Sequence, residues 1–436
     1  EEKKKVQRYE SYKDSGVEWL GDIPEHWELR RFKHFFKEKK ITHNIELNCG
    51  SISFGKVVYK DDEKIPVSTK KSYQVLNKGE FLINPLNLNY DLKSLRIGLS
   101  DKDVVVSSGY IIIQNTSEIS KNYYKWLLHI FDVAFMKTLG SGVRQTLSFT
   151  HIANSELVFP PLQEQTAIAQ FLDDKTIKIN EAISIKEQQI QLLKERKQIL
   201  IHKAVTQGLN PNVQLKDSGV EWIGEIPEHW EVKKLKYLGV IFPGITGKAG
   251  EDFSKVKKVG FKPFIPFTSI FNNQTIDLSK HQYVNIGYNE NQNKIIKGDI
   301  LFLMSSETID DIGKSSIYLG EEDELYLNSF CKGFRINVSS VNSEFVNHSL
   351  QSNSYRHYFC LKGRGFTRIN IKQEFVLNIL IPFPTLSEQK EISAYIETAS
   401  EKIETAINLK QQGIAKLKEY KSSLINSVVT GKVKVC

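Results

Sequence analysis

The 436 residues are 40% hydrophobic and 25% charged, too many for one ordinary core and suited to two globular domains with connecting elements. No apolar run reaches the roughly 18–20 residues that span a bilayer, and no apolar stretch follows Glu1-Glu2-Lys3-Lys4-Lys5, so neither a membrane span nor a secretory signal is expected. The net charge of +8 suits plain solubility and a polyanionic partner about equally. Cys49, Cys331, Cys360 and Cys436 are scattered without C-x-x-C spacing. They read as reduced thiols of a cytosolic protein with no metal site.

In chain order the sequence runs lead-in segment, insert and helix, and then repeats. The first lead-in, Lys13-Asp14-Ser15-Gly16-Val17-Glu18-Trp19-Leu20-Gly21-Asp22-Ile23-Pro24-Glu25-His26-Trp27-Glu28, returns at Lys216–Glu231 with only Leu→Ile and Asp→Glu changed. A second stretch also repeats without a gap, Leu162 to Thr206 against Leu386 to Thr430. A constant scaffold with two divergent inserts suits two reading heads held by one geometry. The expected division is 1–160 for the first lead-in and insert, 161–210 for a central helix, 211–383 for the second lead-in and insert, and 384–436 for a C-terminal helix.

The inserts, about Arg30–Phe159 and Lys233–Phe383, read as mixed α/β domains. Lys78-Gly79-Glu80-Phe81-Leu82-Ile83 matches Lys297-Gly298-Asp299-Ile300-Leu301-Phe302, a turn followed by a buried strand. Val104–Val106 and Tyr110–Ile113 read as strands, with counterparts Leu325–Leu327 and Gly333–Ile336. Tyr123–Lys137 and Phe345–Leu361 read as helices. Asn44–Val58 has no clear equivalent to Phe242–Phe264.

The first long helix is predicted from about Gln163 to Thr206. Its stripe follows four-three spacing through Leu172, Thr176, Ile179, Ile183, Lys186, Ile190, Leu193, Lys197, Leu200 and Ala204. The second copy places Ile396, Ser400, Ile403, Ile407, Lys410, Ile414, Leu417, Lys421, Leu424 and Val428 at the same heptad positions. That is a coiled-coil seam. Each helix, about 44 residues, is roughly 66 Å long, more than one small domain can cover. Antiparallel pairing of the two helices is the expected arrangement; packing of each on its own insert or on another chain is the alternative. The seam lysines are most simply read as snorkelling, with a role in register or in docking a partner as the weaker reading. Thr385-x-x-Glu388 fits a capping box, Pro160-Pro161 precede the first helix, and Gly208 and Gly431 sit where a left-handed cap stops it. Gly413 softens one turn of the second helix by about 1 kcal/mol against alanine.

Catalytic motifs are missing. Asn84-Pro85-Leu86-Asn87 lacks the second proline and the aromatic of an adenine methyltransferase loop. Gly244-Ile245-Thr246-Gly247-Lys248-Ala249 resembles a phosphate loop, but Phe242 and Ala249 occupy the positions of its first glycine and its hydroxyl. Asp61-Asp62-Glu63-Lys64 reads as an exposed charged loop rather than a nuclease pattern. No Ser/His/Asp set or metal-ligand cluster stands out. The His26-Trp27 and His229-Trp230 pairs read as scaffold anchors, together with Trp19 and Trp222.

One insert feature recurs beside the scaffold. Gly140-Ser141-Gly142-Val143-Arg144-Gln145 answers to Gly363-Arg364-Gly365-Phe366-Thr367-Arg368. Arg144 and Arg368 align at the scaffold offset, while the glycines slip by one. Glycine lets a loop approach another surface, and arginine grips phosphate or guanine. A tight turn with a local salt bridge is the bland reading. Arg144, Gln145, Gly142, Arg364 and Arg368 are the candidate DNA contacts, with Thr246 and Lys248 as weaker ones.

These residues resemble the specificity subunits of type I restriction–modification systems, the HsdS family. The S-G-V-E-W-L-G-D-I-P-E-H-W-E lead-in and a P-L-x-E-Q helix start carry the likeness, here Pro161-Leu162-Gln163-Glu164-Gln165 and Thr385-Leu386-Ser387-Glu388-Gln389. Thr385 stands where proline is usual. The resemblance covers nearly the whole chain. It implies two target recognition domains, a long antiparallel helix pair, and no catalysis by the chain itself. It further implies double-stranded DNA, two modification subunits and two restriction subunits as partners, in a bacterial or archaeal cytoplasm. S-adenosylmethionine, ATP and magnesium would then be bound by those partners. Each insert would read half of an asymmetric split site, with the helix pair as ruler. A protein–protein scaffold with duplicated docking arms is the competing reading; steep salt dependence of DNA binding separates the two.

Overall fold

The computed structural model describes residues 7–86, 95–136, 147–272 and 275–435. The chain divides into two compact units, residues 1–186 with 411–436 and residues 187–410. Each unit therefore holds one lead-in, one insert, and part of both long helices.

In the first unit, the lead-in is a hairpin in which Tyr12–Asp14 pairs antiparallel with Asp22–Pro24. Asp14 Oδ1 accepts from the Gly16 N–H at 2.9 Å, closing the turn. The insert leaves and returns through a two-stranded neck, Glu28–Arg31 against Glu156–Phe159. Its central sheet contains β1 (Phe36–Glu38), β2 (Phe81–Ile83), β3 (Ile97–Leu99) and β4 (Ile111–Asn115), in the order β1-β4-β2-β3 and antiparallel throughout. All three residues of β2 are buried, which explains its unbroken Phe-Leu-Ile run. Helix Lys121–Ala134 packs Tyr124, Leu127, Leu128 and Phe131 into the same core. A hairpin, Gly50–Ser53 with Lys56–Tyr59, and the pair Gln74–Leu76 with Val104–Val106 make a second, smaller layer.

The second unit repeats this plan. Leu215–Asp217 pairs with Glu225–Pro227, and the neck is Glu231–Lys234 against Leu380–Phe383. Its central sheet has β5 (Gly239–Pro243), β6 (Ile300–Leu303), β7 (Ser315–Ile317) and β8 (Cys331–Ile336). The order β5-β8-β6-β7 is that of the first insert, again antiparallel. The second layers diverge. Tyr326–Leu327 joins a four-stranded sheet and runs parallel to Phe261–Ile265, whereas Val104–Val106 pairs antiparallel with Gln74–Leu76.

Two helix expectations change. The first insert's helix starts two residues early and ends at Ala134; Lys137 lies outside the described residues. The predicted helix Phe345–Leu361 is two, Ser343–Gln351 and Asn353–Lys362, broken at Ser352 with ψ 151°. The Ser352-Asn353-Ser354 run explains this. Serine and asparagine are weak helix formers and the backbone at Ser352 is extended, so apolar periodicity alone overstates continuity.

The long helices span Leu162–Gln207 and Leu386–Val429. Every residue of both predicted stripes is buried or half-buried. Within the first unit, Lys421 Nζ donates to Asn180 Oδ1 at 2.9 Å, and Lys186 covers Gly413. Within the second, Lys410 Nζ donates to Gln189 Oε1 at 2.7 Å and Lys197 Nζ to Glu404 Oε1 at 3.0 Å. Numbers rise along one helix as they fall along the other, so the pair is antiparallel. Three of the seam lysines thus do more than snorkel: they bond across the seam, and Lys197 is only 9% exposed. Polar partners at seam positions fix register.

The helix ends also enter the inserts' cores. Ile168, Ala169 and Leu172, with Ile425, Val428 and Val429, share one core with the first insert. Ile201, Ala204 and Val205, with Ile392 and Ile396, do so with the second. Each core thus takes the start of one helix and the end of the other.

Candidate nucleic-acid interface

Two features make up the candidate site: a repeated clamp at the helix starts, which positions the inserts, and a cluster of loops at one end of the second insert's central sheet.

The clamp centres on the glutamate of each P-L-x-E-Q-type start. Glu164 accepts from Trp27 Nε1 at 3.0 Å and from the Tyr9 hydroxyl at 2.9 Å, with His26 Nε2 at 2.6 Å. Glu388 accepts from Trp230 Nε1 at 3.1 Å, with His229 Nε2 at 2.8 Å. It also accepts from the Thr385 N–H at 3.0 Å, so the expected capping box is present. Burial by itself raises the pKa of Glu388, but hydrogen bonds from His229, Thr385 and Trp230 outweigh it and bring the value to about 2. Glu164 is held low by the same balance, burial opposed by His26, Trp27 and Tyr9.

The neighbouring glutamines staple the inserts. Gln165, fully buried, donates to Pro160 O at 2.8 Å and accepts from the Ser120 N–H at 2.9 Å. Gln389 donates to Pro384 O at 2.9 Å and accepts from the Asn342 N–H at 2.8 Å. Ser120 and Asn342 cap equivalent helices of their inserts, Lys121–Ala134 and Ser343–Gln351. The sequence flagged this motif without assigning either role, because the partners lie far away along the chain.

The four tryptophan anchors split into two kinds. Trp27 and Trp230 are buried where one helix starts and the other ends. A Cβ on Gly431 would fall 2.4 Å from Pro24 Cδ and 3.0 Å from the Trp27 ring. The left-handed φ of 79° and this close approach both demand glycine there. Trp19 and Trp222 instead face the inserts, packing on Phe131 at 5.7 Å and Tyr358 at 5.1 Å between ring centroids.

The second insert's loops converge through the register of its sheet. Pro243 lies opposite Lys332, and Leu303 opposite Cys331. The segments 244–248, 304–308 and 328–330 therefore leave the sheet at one end. Ser305–Ser306 then pairs antiparallel with Ile369–Asn370, which brings the predicted arginine loop to the same place. Two hydrogen bonds close that loop, Arg364 N to Asn370 O at 3.0 Å and Asn370 N to Arg364 O at 2.8 Å. Phe366 stands fully exposed at its tip.

The structure separates the predicted residues. Arg364 turns back and donates to Leu361 O and Gly363 O, both at 2.8 Å, finishing the preceding helix. Arg368 is exposed and lies over the Phe330 ring, 4.6 Å from its centroid. Among the described residues its guanidinium has no hydrogen-bond acceptor. Lys248 is engaged by Glu290 at 2.6 Å, and Thr246 exchanges backbone hydrogen bonds with the Gln292 amide. That loop is thus tied internally. Gly142, Arg144 and Gln145 lie outside the described residues. Among the described residues no group of three or more His, Cys, Asp or Glu is placed to hold a metal, and no helix is long and apolar enough to cross a membrane.

Comparison with known proteins gives a consistent picture. The family described as type I restriction modification DNA specificity domain matches residues 24–194 and again 227–412. The chain is 24% identical over 417 residues to the type I restriction enzyme MjaVIII specificity subunit of Methanocaldococcus jannaschii, covering 95% of this chain and 94% of that one. It is 26% identical over 210 residues to the EcoKI specificity subunit of Escherichia coli K12, covering 48% of this chain and 44% of that one. In fold it is similar to the HsdS subunit of Thermoanaerobacter tengcongensis, with a TM-score of 0.51 at 14% identity over 94% of this chain and 98% of that one. A solved chain concerning complex assembly and conformational transition of the type I R-M system gives a TM-score of 0.67 at 14% identity, over 93% and 98%.

Proposed function

The chain belongs to the type I restriction modification DNA specificity family, and from that premise we propose how its geometry is used. It is a non-catalytic specificity subunit. Each insert reads one half of a split DNA site, and because the inserts differ the site is asymmetric. The helix pair sets the unread spacer and offers docking faces to two modification subunits. Those subunits supply S-adenosylmethionine chemistry, and restriction subunits supply ATP- and magnesium-dependent cleavage.

One observation carries this reading: the same clamp and glutamine staple occur twice, holding inserts that share a central sheet but differ in their second layer and loops. The helices also display apolar residues away from the seam, Ile177 and Ile185 in the first unit, Leu192, Ile199 and Leu409 in the second. Exposed apolar side chains at such places fit a protein partner.

The test is exchange of the Arg30–Phe159 insert for that of another specificity subunit, with sequencing of methylated DNA. One half-site should change and the other remain. Alteration of both, or DNA affinity that barely responds to salt when modification subunits are present, would refute the reading.

A further inference from the structure

The loop cluster of the second insert encloses a cavity of about 350 Å³. Phe267, Phe271 and Phe330 give it aromatic walls, and Ser305, Glu307 and Arg368 give it polar ones. Ser306 lies opposite Ile369 in the antiparallel pairing. One further step of the same register sets Glu307 across from Arg368. Opposite charges in that position ordinarily join. Here they do not: among the described residues neither side chain has an ion-pair or hydrogen-bond partner, and the guanidinium instead lies on the Phe330 ring at 4.6 Å. Stacking holds the planar fork and leaves its N–H groups directed elsewhere. Both side chains are exposed.

A forked donor beside a bare carboxylate is complementary to a surface that offers two acceptors next to a donor. The major-groove edge of a G·C pair is such a surface. Guanine presents O6 and N7 to arginine, and the cytosine amino group donates to a carboxylate. A phosphate would suit Arg368 but be repelled by Glu307, so this pair fits a base edge better than the backbone.

We propose that Arg368 and Glu307 together read one G·C pair of the half-site taken by the second insert. This rests on the reading of that insert as a half-site reader. Phe330 is then a positioning residue, acting through the guanidinium it supports.

The full chain, assembled with its modification subunit and S-adenosylmethionine, is assayed for adenine methylation on duplex libraries randomised in either half-site. Arg368→Ala is expected to lower discrimination at one G·C position of the second half-site by about 10- to 100-fold. Glu307→Gln should relax the same position. Arg368→Lys keeps the charge but loses the fork, so it should relax that position while retaining methylation, and it serves if the alanine variant fails to fold. Phe330→Leu should weaken discrimination there less than Arg368→Ala does. The exchange Glu307→Arg with Arg368→Glu separates readout from a plain salt bridge, since a merely structural pair tolerates the swap with its motif unchanged. An unchanged second half-site in Arg368→Lys and Glu307→Gln, or effects at different positions, overturns the proposal while the first half-site, still specified, leaves the wider reading standing. Wild-type methylation without sequence preference in either half would sink the wider reading itself.

Discussion

Replacing Glu388 with glutamine is the most direct test of the clamp. The variant keeps side-chain shape and one acceptor oxygen but loses the charge that Trp230 Nε1, His229 and the Thr385 N–H address. A pKa brought from 4.5 to about 2 sets a ceiling of about 3 kcal/mol, at roughly 1.4 kcal/mol per tenfold change in acid dissociation. The Glu388 side chain is 32% exposed, so solvent screening reduces the expected cost of Glu388→Gln to about 1–2 kcal/mol. The sign is fixed by linkage. The folded-state pKa lies below the unfolded one, so the contribution is complete above about pH 4.5 and is lost as pH falls toward 2. Urea unfolding of the full chain, followed by tryptophan emission at several pH values, measures it. Four of the five tryptophans lie in the lead-ins, so emission reports on their docking. Wild type and variant should differ at pH 7, the gap should already be narrower at pH 3, and it should close only near pH 2. A gap that stays constant to pH 3, or no gap at pH 7, would refute the account of the clamp.

Other substitutions probe the frame. Gly431 and Gly208 both have left-handed φ, 79° and 74°, but Gly431→Ala also sets a Cβ 2.4 Å from Pro24 whereas Gly208→Ala meets only Trp230 at 3.2 Å; melting temperature should fall for both and distinctly more for the first. Ile407→Ala empties a seam position only 3% exposed and should cost about 2–5 kcal/mol in denaturant titration. Leu192→Ala, at an exposed position off the seam, should leave stability within about 0.5 kcal/mol yet weaken modification-subunit binding in calorimetry. Glu404→Ala strips the carboxylate from Lys197 and should cost more than Lys197→Met, whose side chain refills the lysine stem's space; equal stabilities would remove the case for a register bond.

Most of the frame was legible because it depends on period and repetition. The heptad stripe predicted an antiparallel pair, and every position proved shielded. The central sheets were legible at Phe81–Ile83 and Ile300–Phe302, where a buried strand must be apolar on both faces. What escaped was set by long-range polar contacts. Nothing local in Glu164 or Gln165 says that one grips Trp27 and the other Ser120. The break at Ser352 escaped because the weak helix propensity of Ser352-Asn353-Ser354 leaves no trace in apolar spacing. In the candidate site, the sequence offered two arginines four residues apart and distinguished them only by the alignment of Arg368 with Arg144. Only the fold shows Arg364 spent on the helix end and Arg368 laid on Phe330. Arg144 lies outside the described residues, so its half of the comparison rests on sequence alone.

The arrangement of locks explains how two unlike inserts share one frame. Each insert joins the scaffold through a two-stranded neck whose exit is covered by a cation, Arg30 over Phe159 and Lys233 over Phe383, both at 3.8 Å. It is held further by one buried glutamine bonded to the backbone of a helix cap. Backbone acceptors and donors exist whatever side chains the insert carries. The staple therefore needs a helix start at the right place and no particular recognition sequence. Loops at the sheet end make none of these contacts, so they are free to diverge without loosening the clamp. That freedom is what a specificity subunit requires: the frame must recur closely while the surfaces that meet bases must not.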